Sequence, residues 1–121
     1  VSAETDFRAL LVAHPGLAAL VGTRVSENAV PEGAVLPFVA FTSRHDLTHN
    51  LLGEVMADQC VFTVQCWARS SADAAAVAAQ VLLAVQGADP ARGAVVLSTE
   101  GGYDAELRLD ASILSVEWWA L

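Results

Sequence analysis

Ala57-Asp-Gln-Cys60-Val-Phe62-Thr-Val64-Gln-Cys66-Trp67-Ala68-Arg-Ser70-Ser-Ala-Asp73-Ala74 holds a strand, a break and the first turn of a helix in one short run. Cys60, Phe62, Val64 and Cys66 alternate with Val61, Thr63, Gln65 and Trp67. That period of two predicts a half-buried strand over 57–68. The first set is wholly apolar and is expected to face a core. The second is mixed, either wet or covered by another chain. Ser70 then opens a capping box with Asp73 at the third helical position, in place of the more usual Glu. Beyond it Ala74, Val77, Ala78, Val81, Leu82 and Val85 recur at three-and-four spacing, one apolar stripe of a helix running to about Val85. The stripe is rich in Ala, so the helix can lie close on a sheet. Gly87 ends it and Pro90 prevents its resumption.

Toward the N-terminus, Phe7, Leu10, Leu11, Leu17, Leu20 and Val21 predict helix over 3–21. Ser2 can cap it, and Glu4 and Asp6 suit the positive end of its dipole. Pro15 cannot join the helix ladder, so one helix should end near Ala13 and a short one run from Pro15 to Val21, stopped by Gly22. A short strand is expected near Val25, then a loop from Asn28 to Leu36 punctuated by Pro31 and Gly33. Pro37 opens a strand to Arg44, with Phe38, Ala40 and Thr42 on one face and Val39, Phe41 and Ser43 on the other. Residues 45–56 show no period and read as a long connection between antiparallel strands. Such loops are often functional. This one carries Leu47, Leu51, Leu52, Val55 and Met56, which either fold back onto the core or meet a partner.

Toward the C-terminus, Ala94–Thr99 reads as a strand, Gly101-Gly102 as a turn or bulge, and 103–119 as a final long strand. In that strand Leu107, Leu109, Ala111 and Ile113 share one phase. Leu114, Val116 and Trp118 take the other, which predicts a β-bulge near Ser112–Ser115. The fold class is α+β: a mainly antiparallel sheet of about four to five strands, two main helices on one face, and a long inter-strand loop at 46–56.

Composition bounds the function. The chain has 121 residues, of which 55% are hydrophobic and 17% charged, enough apolar surface for a real core within one domain. No run is long enough for a membrane helix, and no signal-peptide pattern stands at the start. Fourteen acidic residues against six basic, all Arg, give a net charge of −8, which disfavours binding to phosphate backbones. So much apolar content in a small chain also points to a partner subunit. Cys60 and Cys66 would share a strand face about 20 Å apart, too far for a disulfide. Two buried free thiols are expected. His45 and His49 flank Asp46, but no Cys-x-x-Cys or His-x-His spacing supplies a metal site. There is no Gly-x-Ser-x-Gly elbow and no phosphate-cradling loop. No catalytic residue, metal or cofactor is expected. Of Trp118 and Trp119, one should enter the core while the other lies on a face without an obvious helix. Trp67 raises the same question, because Trp is enriched at interface centres.

Four pieces then carry a resemblance. They are the opening Phe7-Arg-Ala-Leu-Leu-Val-Ala-His-Pro-Gly-Leu-Ala-Ala-Leu-Val-Gly-Thr-Arg24-Val; Leu36-Pro37-Phe38-Val39; Val64-Gln65-Cys66-Trp67-Ala68-Arg69-Ser70 with the Ala-rich helix after it; and a closing strand ending in aromatics. Together they resemble the small phage tail-completion proteins of the tail terminator type, including those of gene transfer agents. The chain departs from many relatives at Val25-Ser26-Glu27-Asn28, where they carry a Tyr-Pro pair. The resemblance implies a single domain over 1–121 and a non-enzymatic virion role. Proteins like this form a ring, usually hexameric, that caps the tail tube, ends its polymerisation and joins the tail to the head-side connector. The implied partners are further copies of the chain, the tube protein and a connector or stopper, with DNA passing through without specific binding and no membrane contact. The implied place is the head–tail junction, after assembly in the bacterial cytoplasm. Expected interface residues are Leu47, His49, Leu51, Leu52, Val55 and Met56, in a loop at 46–56 that can order on assembly, with Trp67 and Trp119 on the strands. The rival readings are another connector or minor tail protein of the same particle, and a non-catalytic oligomeric binding module.

Overall fold

The computed structural model describes residues 3–27, 35–88, 93–105 and 108–119. The order of elements is α1 (Ala3–Ala13), α2 (Pro15–Val21), β1 (Val25–Glu27), β2 (Phe38–His49), β3 (Val55–Ala68), α3 (Ser71–Gln86), β4 (Val95–Asp104) and β5 (Leu109–Trp119). The strands form one sheet in the order β1-β2-β3-β5-β4. β1 pairs parallel with β2, and the other pairings are antiparallel. The α+β class, the strand number and the helices on one face are as the sequence implies. The expected Ser2 cap, the loop residues Pro31 and Gly33, Pro90 and Leu107 lie outside the described residues.

The local signals explain the helices. Pro15 occupies the first turn of α2. The side chain of Ser70 accepts from the backbone N–H of Asp73, and at the end of α3 the Gly87 N–H donates to Leu83 and the Ala88 N–H to Val85. Ala74, Val77, Val81, Ala84 and Val85 form the buried stripe of α3. Leu20, expected in the N-terminal stripe, is exposed instead, because α2 is short and turns that side toward solvent.

The core lies between these helices and one face of the sheet. Cys60, Phe62, Val64 and Cys66 are fully buried there. Their β5 partners are Trp118, Val116, Leu114 and Ser112. Phe7 of α1 stacks on Phe62 at 4.1 Å between ring centres, and meets Phe41 and Trp118 edge-on at 5.3 and 5.7 Å. Each such side chain contributes about 1.5–3 kcal/mol by leaving water. No helix among the described residues covers the opposite face, which carries Thr63, Gln65 and Trp67 of β3 with Ile113, Ser115 and Trp119 of β5.

Three expectations need correction. Residues 45–56 are not a loop. β2 and β3 form one continuous hairpin, paired from Phe38↔Trp67 to His49↔Val55, with only residues 50–54 turning. Periodicity hid this, because a strand exposed on both faces has no burial to impose an alternation. Second, β4 runs straight through Gly101-Gly102, which pair with Ser112 and Ala111. Third, the β3–β5 ladder is unbroken from Ala68↔Asp110 to Gln59↔Trp119, so β5 has no bulge against β3. The apolar phase changes there because Ala111 and Ile113 face the uncovered side while Leu114, Val116 and Trp118 face the helices. The register slip lies on β4 instead, between Val96 and Ser98.

Candidate functional site

The far part of the hairpin leaves the body of the protein. Its last rung shared with β5 is Gln59↔Trp119, and the pairs Leu47↔Asp58, Thr48↔Ala57 and His49↔Val55 have no third strand among the described residues. The register slips between Thr48 and His49. The turn is well defined: Asn50 Oδ1 accepts from the backbone N–H of Leu52 and Glu54, Gly53 N–H donates to the Asn50 carbonyl, and Gly53 takes the positive φ of 83° that the turn requires. This ordered tip presents Leu51 and Leu52 almost wholly to solvent, and Leu47, Val55 and Met56 are also exposed. We call residues 46–58 the arm.

Of the eight expected interface residues, the structure gathers Leu47, His49, Leu51, Leu52, Val55 and Met56 on this arm. Trp67 and Trp119 lie on the uncovered sheet face, partly buried, Trp119 at the root of the arm and Trp67 at the far end of β3. Trp118 is the one that enters the core.

At the arm's base sits a cluster the sequence did not disclose. His45 Nε2 lies 2.6 Å from Glu4 Oε1 of α1, and its Nδ1 lies 2.6 Å from Asp58 Oδ1 of β3. Ser43 Oγ donates to the same Glu4 oxygen at 2.8 Å. Cys60, paired with His45 across the ladder, is buried with its Sγ 3.7 Å from His45 Nε2. The hydrogen bond from His45 drives the Glu4 carboxyl down to about 2, against the opposing effect of its burial. The Glu4 bond, then the Asp58 bond, holds the imidazole above its ordinary value. Burial, reinforced by the Glu4 and Asp58 charges, pushes the Cys60 thiol up to about 12, and burial alone does the same to Cys66. Both cysteines are free, as expected, and a thiol held so far from ionisation is a poor nucleophile. His49, exposed on the arm, takes no part in the cluster.

Two grooves among the described residues lie apart from this cluster. One of about 320 Å³ runs between α2, α3 and the start of β2, lined by Leu20, Leu36, Pro37 and Val77 with Arg69 and Asp73 at its edge. Neither it nor the groove between α3 and β4 includes His45, Glu4 or Cys60.

A family model described as Tail completion protein gp17 matches residues 5–121. The chain belongs to this family. It is thus a structural protein of a phage-type tail. The resemblance carried by the four sequence pieces is met over nearly the whole chain. No curated protein matches it. Among solved structures, a chain from the virion of a native gene transfer agent particle is similar with a TM-score of 0.78 and 22% identity, over 98% of this chain and 94% of that one. The tail-completion fold is what the two chains share. Within it, the arm and the opposite sheet face are covered by no helix among the described residues.

Proposed function

We propose that this tail completion protein forms a ring that caps a tail tube, ends its polymerisation and presents a surface to the head-side connector. The reading places it in a virion or phage-like particle, at the head–tail junction, after assembly in the bacterial cytoplasm. The observation that carries it is the arm, an ordered hairpin with five exposed large apolar side chains and no third strand beside it among the described residues. Exposed apolar clusters on an ordered support mark contact surfaces.

A cyclic ring joins different patches of adjacent copies. The arm, with Leu47, His49, Leu51, Leu52, Val55 and Met56, supplies one patch toward a neighbour or the tube. The uncovered sheet face, with Trp67 and Trp119, supplies another. A hexamer is the expected closure, following the resemblance. The net charge of −8 suits a channel through which DNA moves without adhering. The similar chain belongs to a virion, which supports the same location here.

The test is the native mass of the assembly across a concentration series, with particles imaged from the same sample and purified tail tubes added. A hexameric ring, free or on tube ends, is the expected species. A chain that stays monomeric in solution and also ignores tube ends overturns the reading.

A further inference from the structure

Three elements each deliver one donor to the base of the arm. Glu4 comes from α1, His45 from β2 and Cys60 from β3, and their ligand atoms all lie within 4.8 Å of one another. A tetrahedral zinc ion, with bonds of roughly 2.0–2.2 Å to nitrogen and oxygen and about 2.3 Å to sulfur, sets a nitrogen and an oxygen donor about 3.3 Å apart and a sulfur and a nitrogen donor about 3.6 Å apart. The 3.7 Å from Cys60 Sγ to His45 Nε2 already meets that spacing. The 2.6 Å from His45 Nε2 to Glu4 is a hydrogen-bond distance. It must widen by about 0.7 Å when an ion takes the place of the shared proton. Rotation about the flexible Glu4 side chain can provide that.

The surroundings orient the donors as a metal site requires. Asp58 holds His45 Nδ1 at 2.6 Å, the carboxylate–histidine arrangement that fixes the ring and leaves Nε2 to coordinate. Ser43 orients the Glu4 carboxylate in the same way. Cys60 closes the inner side and is fully buried, while the His45 side chain is 34% exposed and leaves a path from solvent. Thiolate, imidazole and carboxylate together favour zinc or a similar first-row divalent ion over calcium or magnesium, which prefer oxygen alone.

We propose that Glu4, His45 and Cys60 bind a divalent transition-metal ion, Zn2+ foremost, which ties the start of α1 to the root of the arm. A fourth position stays open for water. On binding, the Cys60 thiol proton and the His45 Nε2 proton leave to solvent, and the ion takes both sites. The proposal is independent of what the arm contacts.

The experiment is Co2+ titration of the purified, reduced, chelator-stripped chain, followed by its absorption spectrum and then by Zn2+ displacement. One Co2+ per chain is expected, with a thiolate-to-cobalt charge-transfer band and the ligand-field bands of a tetrahedral site. Cys60→Ser abolishes the charge-transfer band and Cys66→Ser keeps it. Asp58→Asn weakens Zn2+ binding about 10–100-fold, because it frees the imidazole. If Cys60→Ser fails to fold, His45→Gln, altered on an exposed side chain, must lose Co2+ binding while its far-ultraviolet dichroism stays native. Absence of the band in the wild-type chain under excess Co2+ overturns the proposal. So does a band that survives Cys60→Ser, or tight Co2+ binding that survives His45→Gln.

Discussion

The two halves of the β2–β3 hairpin share one ladder and differ in almost everything else. The near half, Phe38–Ser43 against Phe62–Trp67, has β1 on one edge, β5 on the other and helices on one face. The far half, Leu47–His49 against Val55–Asp58, has none of these among the described residues. Both halves carry large apolar side chains, yet Phe41 is 1% exposed and Met56 is 62% exposed. Apolar content therefore does not define a core; what decides is whether other elements reach the strand. A free two-stranded ribbon is marginal in water. Here it is held by continuity with the buried half, by the Asn50 turn and by the Glu4–His45–Asp58 cluster at its root. The apolar side chains at its tip are covered by none of the described residues, and the proposed ring would supply a surface for them.

The strongest test of this contrast is Phe62→Ala in the near half. Phe62 is fully buried where the rings of Phe7, Phe41 and Trp118 converge. Truncation leaves a cavity among rigid rings and should cost about 3–5 kcal/mol. In a domain this size that lowers the melting temperature by about ten degrees or more. Denaturant and thermal unfolding of the dilute chain measure it. A cost below about 1 kcal/mol, the range of surface positions, would break the distinction between the halves.

The near half was legible in the sequence and the far half was not, for the same reason. Burial on one face imposes the alternation of Cys60, Phe62, Val64 and Cys66, and the cap at Ser70 is a local hydrogen bond that short-range chemistry announces. The arm has no buried face, so nothing in its residues records a period. With the arm unread, the register of the hairpin was unread as well. Only that register sets Cys60 opposite His45 and brings Asp58 and Glu4 to the same ring. Glu4 had a sufficient local explanation at a helix start, which concealed its contact with a strand distant in sequence. The bulge expected in β5 failed differently: apolar residues on both faces of a strand mimic a slip.

Two intermediate effects follow, one at the border between the halves and one within the near half. Gly93 has a φ of 57°, and a Cβ there would stand 2.5 Å from Cδ1 of Trp119, the residue on the last rung β5 shares with the hairpin. Gly93→Ala combines left-handed strain with displacement of the indole. It should cost about 1–3 kcal/mol, seen in denaturant unfolding, and should raise amide exchange at Gln59. Unchanged stability would mean that the Trp119 contact does not anchor the border. Ser70→Ala removes the cap on Asp73 N–H at the start of α3 and should cost about 1 kcal/mol in the same assay. Its effect belongs to the near half alone, so exchange rates in the arm should not change. If they rise, arm and body are one cooperative unit.

The smallest effect on stability is expected at the tip, and there the near-zero value is itself the informative result. Leu51 and Leu52 make no buried contact, and the turn they occupy is fixed by Asn50 Oδ1 accepting from backbone N–H groups. Ser at both positions keeps those donors and the Gly53 conformation. The double variant Leu51→Ser with Leu52→Ser should therefore unfold within about 0.5 kcal/mol of the parent when dilute. If the tip inserts into a neighbour or a tube, the same variant should lose the ring in the native mass and fail to hold tube ends. The two readouts separate the causes. A loss of more than about 1 kcal/mol in the dilute chain would mean that the tip packs on its own body, and the contrast between the halves would dissolve. Unchanged stability with unchanged assembly would keep the contrast but move the contact elsewhere, to the sheet face around Trp67 and Trp119. Only unchanged stability with lost assembly assigns the exposed leucines to a partner, because the side chains would then contribute nothing until a second surface removes them from water.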